Sequence, residues 1–164
     1  MAAKIFAAMN AHLAKHQKTL RTGTIVDATI INAPSSTKNS SGKRDPAMHQ
    51  AKKGSQWYFG MKAHIGMDVD TGLVHTVTCT PASGADVTQV DTLLHGREKT
   101  VHGDAGYTGV GKRREHDGRT VKWHIAERRS TTKKRPKDRL KGLTEELETL
   151  KAWFRTRVEH PFRV

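Results

Sequence analysis

The sequence predicts a single α/β domain, a five-stranded mixed sheet covered by helices, and three observations carry that reading. Short β-branched runs alternate with stretches of helical apolar spacing, in the order strand, strand, strand, helix, strand, helix, strand, helix, after one N-terminal helix. The 164 residues are the length of one domain with a real core. A formal charge of +13, from 29 Lys+Arg against 16 Asp+Glu, points to a polyanionic partner. Nucleic acid suits it better than membrane: no apolar run approaches a spanning helix, and the first twenty residues are too polar for a signal-peptide core. A cytoplasmic location is therefore expected.

Lys4 to Leu20 sets Ile5, Phe6, Met9, Leu13 and Leu20 among helix formers, which gives an amphipathic helix. Thr24 to Ile31 is a continuous β-branched run between Gly23 and Asn32-Ala33-Pro34, a strand buried on both faces with one carboxylate, Asp27, at its middle. Aspartate is disfavoured in strands and costly to bury. Taken alone, it is equally a structural aspartate satisfied by a loop or a basic neighbour. Residues 32–56 are rich in Ser, Lys, Gly and Asn without hydrophobic periodicity and read as a long basic loop, with Lys43, Arg44, Lys52 and Lys53 as candidate phosphate contacts.

Trp57 to Met67 and Leu73 to Thr80 form an antiparallel pair across the Asp68-Val69-Asp70-Thr71-Gly72 turn. Cys79, the only cysteine, excludes an internal disulfide and is expected as a small buried hydrophobe. Pro81 to Gly84 breaks the pattern, and Val87, Val90, Leu93 and Leu94 then recur at helical spacing up to Gly96. Thr100 to Asp104 is a strand that runs into Gly103-Asp104-Ala105-Gly106-Tyr107, where a carboxylate is presented at the strand's C-terminal end. A helix cap is the competing role for Asp104.

Residues 110–118 are expected as a short basic helix and Thr120 to Ala126 as the fifth strand. The ten histidines show no HExxH spacing; His64, His75, His102 and His124 fall on separate strands and read as strand or nucleic-acid-contacting residues. Residues 127–141 form a basic linker with Lys133, Lys134 and Arg135 as further candidate phosphate contacts. Leu143, Leu147, Leu150, Phe154 and Val158 then give a helix with a continuous apolar stripe, started by Thr144, Glu145 and Glu146. Glu159 lies at its far end, with Arg155 as an i−4 neighbour able to form a plain surface pair with it.

This element order is that of the ribonuclease-H-like fold. There the first and fourth strands are neighbours, so Asp27 and Asp104, 104 − 27 = 77 positions apart, meet at one edge, and Glu159 descends from a helix packed over the sheet. Three clustered carboxylates repel one another unless a cation joins them. Mg²⁺ takes oxygen ligands, and two such ions about 4 Å apart can activate an attacking oxygen and stabilise a leaving one at phosphorus.

Four segments carry a family resemblance. Residues 23–31 with 33–39, the run Gln56-Trp57-Tyr58-Phe59-Gly60-Met61-Lys62-Ala63-His64-Ile65-Gly66, the run Gly103 to Tyr107, and residues 157–164 resemble the bacterial DDE transposases of insertion-sequence family five. The resemblance implies that Asp27, Asp104 and Glu159 hold two Mg²⁺ or Mn²⁺ ions, and that Arg155 contacts phosphate or orients Glu159. It also implies DNA element ends and target DNA as substrates, homo-oligomers on DNA, and association with the nucleoid. The family's last signature has a tyrosine where Ala152 stands, and its final basic residue would fall beyond Val164. The expectation is a catalytic domain over residues 23–164, shortened at both ends, with residues 1–22 left from a preceding region; the alternative is an inactive DNA-binding remnant.

Overall fold

A computed structural model describes every residue except 19, 21, 35, 36, 38, 39, 41, 129, 132, 133, 135–138, 157–160 and 162–164, together with the side chains at 139, 154 and 155. Helix α1 (Ala2–Lys15) is followed by β1 (Gly23–Asn32), β2 (His49–Lys53), β3 (Gln56–Asp68) and β4 (Val74–Pro81). A 3-10 turn (Asp86–Gln89) leads into α2 (Val90–Leu93), then come β5 (Thr100–Gly103), β6 (Lys122–Ile125) and α3 (Arg139–Thr156).

Strand β1 is the axis of the sheet. It runs antiparallel to β3 from Thr24↔Asp68 to Asn32↔Gly60, and parallel to β5 from Gly23↔Thr100 to Ile25↔His102. Strand β6 continues the parallel half beside β5. Successive side chains of a strand face opposite sides, so the apolar run in β1 serves two cores. Val26 joins Val90, Leu93, Val101, Tyr107 and Val110 in one, and Ile25 joins Ile65 and Met67 in the other. At the β3–β4 turn the buried Asp68 is satisfied locally, accepting from the Asp70 and Thr71 amides at 3.0 Å each.

The sheet has six strands, not five, because the expected loop contains β2. His49–Lys53 pairs with Gln56–Gly60 across a two-residue turn, Gly54-Ser55, and is almost wholly exposed, so no apolar alternation announces it. Strands β2 and β4 share one edge of β3, one after the other. Their junction is at Gly60, where φ is +155° and a Cβ would collide with the Ile31 carbonyl oxygen.

Other expectations are corrected. Residues 110–118 form two short 3-10 turns, Val110–Lys112 and Arg114–His116, with Gly109 and Gly118 bounding them. Helix α1 stops at Lys15 rather than Leu20, has no buried residue, and is tied to the sheet where Asn10 Nδ2 donates to the His75 carbonyl at 3.0 Å. Cys79 lies exposed on the outer face of β4, the edge strand.

Helix α3 departs most. It begins at Arg139, ahead of Thr144, whose hydroxyl donates to the Leu140 carbonyl within the helix. Its polar side faces the sheet: Lys151 Nζ donates to the Ile125 carbonyl at 2.9 Å, and Glu148 Oε2 accepts from the Glu127 amide at 3.0 Å. Leu143, Leu147 and Leu150 are 55%, 48% and 58% exposed. Apolar periodicity identifies the face that seeks burial, but not the surface that supplies it.

Candidate functional site

The β1–β5 register decides where two of the acids stand. The offset between paired residues is 102 − 25 = 77, the same as 104 − 27, so the register, carried two places past its last pair, sets Asp27 level with Asp104, the first residue after β5. Asp104 does cap the following 3-10 turn, its Oδ1 accepting from the Gly106 amide at 2.7 Å. The cap fixes the carboxylate beside β1 rather than removing it from the site.

Asp27 Oδ1 accepts from the Ala28 amide at 2.8 Å. Its pKa is nonetheless pushed up to about 6, by burial first; the Ala28 amide and Lys53 pull it down, while the charges of Asp104 and Asp86 push it further up. The acid pair is thus a repulsive arrangement that the fold holds together.

Further groups border the pair, none of them among the expected site residues. Asp86 opens the 3-10 turn before α2; its Oδ1 is bonded by Lys62 Nζ at 2.8 Å, and Lys62 also donates to the Gly84 carbonyl at 2.8 Å. A Cβ built on Gly106 would lie 2.9 Å from Asp104 Oδ1 and 3.6 Å from Asp86 Oδ2, so these carboxylates flank one glycine. His64 is wholly buried, 3.7 Å from Asp86 Oδ1 and bonded to Thr80 Oγ1 at 2.8 Å. Tyr107, 1% exposed, lies in the same turn as Asp104. Tyr107 lies inside the Gly103 to Tyr107 run that presents Asp104, which was its one signal in the sequence; Asp86, 104 − 86 = 18 positions earlier, had none.

The remaining expected residues divide. Lys43, Arg44, Lys52, Lys53 and Lys134 are exposed. Arg44 lies over the Phe59 ring at 5.4 Å and Lys52 over the Trp57 ring at 5.9 Å, with Trp57 itself 64% exposed. Lys133, Arg135 and Glu159 lie outside the described residues, as does the side chain of Arg155. Of the histidines, His64, His75 and His102 are buried in the sheet, and His102 stacks on His124 at 4.8 Å.

A family model for the transposase DDE domain matches residues 18–164, nearly the whole chain. The chain belongs to the transposase DDE-domain family. That membership makes DNA the partner of the transposase domain and agrees with its mixed sheet and flanking helices. No solved structure matches the transposase domain. None of its described helices is long and apolar enough to cross a membrane.

Family members typically use divalent metal ions. No group of three His, Cys, Asp or Glu among the described residues is arranged to hold one. The donors that do converge, Asp27 and Asp104, are carboxylates, which suit a hard cation and would be relieved by its charge.

Proposed function

We propose that the transposase domain is the ribonuclease-H-like catalytic unit of an insertion-sequence transposase of the family-five type. It cleaves DNA at an element end: the oxygen of water bonds to phosphorus and the P–O3′ bond breaks, and the freed 3′-hydroxyl oxygen then bonds to a phosphorus of target DNA as that target P–O3′ bond breaks and a target 3′-hydroxyl leaves. The observation that carries this reading is the parallel pairing of β1 with β5 up to Ile25↔His102, which brings Asp104 near enough for its charge to raise the pKa of Asp27. Asp27, Asp104 and Glu159 would together hold Mg²⁺ or Mn²⁺, two ions in all, which supply Lewis-acid stabilisation at phosphorus when bound. Arg155 would steady Glu159 or a phosphate.

The chain's own residues have separable tasks in this reading. The Gly106 amide and the Ala28 amide each hold one carboxylate oxygen in a fixed direction, and the surrounding core keeps both strands rigid. The hairpin of β2 and β3 supports a DNA contact: Lys52 stands over the exposed Trp57, a pairing of charge and stacking surface suited to a nucleic-acid strand, and Lys53 follows it on the same exposed edge. Lys43, Arg44, Lys133, Lys134 and Arg135 would add phosphate contacts. Assembly on DNA as a homo-oligomer and residence at the nucleoid belong to the same proposal.

A second reading, a DNA-binding domain without catalysis, is favoured by Ala152 standing where the family signature has tyrosine. Nicking of supercoiled DNA separates the two. Mn²⁺-dependent nicking by the wild-type chain, abolished in Asp104→Asn, is the expected result. Undiminished nicking in that variant contradicts the site; DNA binding with no nicking at any Mg²⁺ or Mn²⁺ concentration favours the second reading.

A further inference from the structure

The acid pair has a neighbour whose chemistry is unused. Tyr107 is 1% exposed, and its hydroxyl has no hydrogen-bond partner among the described residues. A buried hydroxyl without a partner costs about 1–3 kcal/mol, and such a group in a native fold calls for a reason. Packing alone does not give one. The ring sits with Val26, Val90, Leu93, Val101 and Val110, where phenylalanine would fill the same space without that cost.

Its position is fixed by the acid site itself. Tyr107 belongs to the 3-10 turn Ala105–Tyr107 that the Asp104 carboxylate caps, and its amide donates to the Asp104 carbonyl at 3.1 Å. One oxygen of each surrounding acid already has a donor: Ala28 N on Asp27, Gly106 N on Asp104, and Lys62 Nζ on Asp86. Burial, and then the charges of Asp27, Asp86 and Asp104, push the phenol above its ordinary range. The hydroxyl therefore keeps its proton, and it stands within the field of three acceptors.

We propose that Tyr107 is a positioning residue: when Asp27 and Asp104 take up a divalent cation, the Tyr107 hydroxyl donates a hydrogen bond to a carboxylate of that pair and fixes its orientation. This rests on the reading of Asp27 and Asp104 as a cation-binding pair. Orienting partners of metal ligands typically contribute about 10–100-fold in affinity. Replacing tyrosine by phenylalanine removes only the hydroxyl, so it separates orientation from packing.

The test uses the full chain and Mn²⁺ as the probe, with thermal stabilisation followed against Mn²⁺ concentration. Tyr107→Phe should melt no lower than wild type in the absence of the cation, yet need about tenfold more Mn²⁺ or above for half its stabilisation. Asp27→Asn should lose the Mn²⁺ response. In wild type, the ¹³Cζ resonance of Tyr107 should shift on saturation with diamagnetic Mg²⁺, while that of Tyr58, the other of the two tyrosines, stays in place. An unchanged Mn²⁺ midpoint in Tyr107→Phe, with the Asp27-dependent response intact, overturns the role of Tyr107 and leaves the proposed function standing. If that variant fails to fold, an unmoved Tyr107 resonance at saturating Mg²⁺ overturns it instead. A wild-type chain with no Asp27-dependent response to either cation overturns both.

Discussion

A carboxylate in the middle of a buried strand weakens the fold that carries it. Asp27 takes up its proton near pH 6 in the folded chain, against an ordinary value of 3.8, so between those values the folded state binds more protons than the unfolded one. Its contribution to stability therefore falls as the pH rises from about 4 to 6 and stays low above that, a loss of at most about 3 kcal/mol before solvent screening. Asp27→Asn should consequently melt higher than wild type at pH 7.5 in EDTA, with the advantage shrinking toward pH 4. Equal melting temperatures across that range would contradict the strained-acid description. Asp27 was legible in the sequence because its residue type conflicts with its surroundings. Lys62, Asp86 and Tyr107 were not, since each agrees with its own element and acquires meaning only through contacts across the sheet.

The β2–β3 hairpin and α3 are the elements whose surfaces differ most from expectation. Four polar residues and one alanine became β2 because β3 offers an edge and Gly54-Ser55 a two-residue turn, neither visible in strand propensity. If the hairpin grips DNA, the double variant Lys52→Ala/Lys53→Ala should weaken binding and lower the magnitude of the log-salt slope by about two, one for each phosphate contact removed. An unchanged slope would move the DNA elsewhere. On α3 the sequence revealed an apolar stripe, and the fold leaves Leu147 half exposed. Leu147→Glu should then alter the stability of the monomeric chain by no more than about 0.5 kcal/mol in a urea melt, the range of surface substitutions. A loss of several kcal/mol, as for a buried leucine, would show that the stripe is covered.

Taken as one body, the transposase domain is a polycation wrapped round a histidine-containing sheet. The adjacency of β1 and β5 was readable, but β2 and the 3-10 turns that replace a helix over residues 110–118 were not; the third acid and its helix end were readable only as motif, and Glu159 lies outside the described residues. His75 and His102 are buried, and burial lowers each to about pH 4. Their unfolded forms take protons first, so stability is lost as the pH falls from about 6.5 to 4. That loss opposes the contribution of Asp27, and Asp27→Asn should show the steeper acid decline of the two chains. The charge of +13 adds a requirement on DNA binding: affinity should drop by about 10³ or more between 50 and 200 mM salt if six or more phosphates are contacted.

The most direct measurement is calorimetric titration of Mn²⁺ into the wild-type chain, Asp27→Asn, Asp104→Asn and the double variant. If the two aspartates form one cation-binding unit, each single substitution should remove nearly as much affinity as both together. Wild-type affinity retained in either single variant, or losses that simply add, would contradict it.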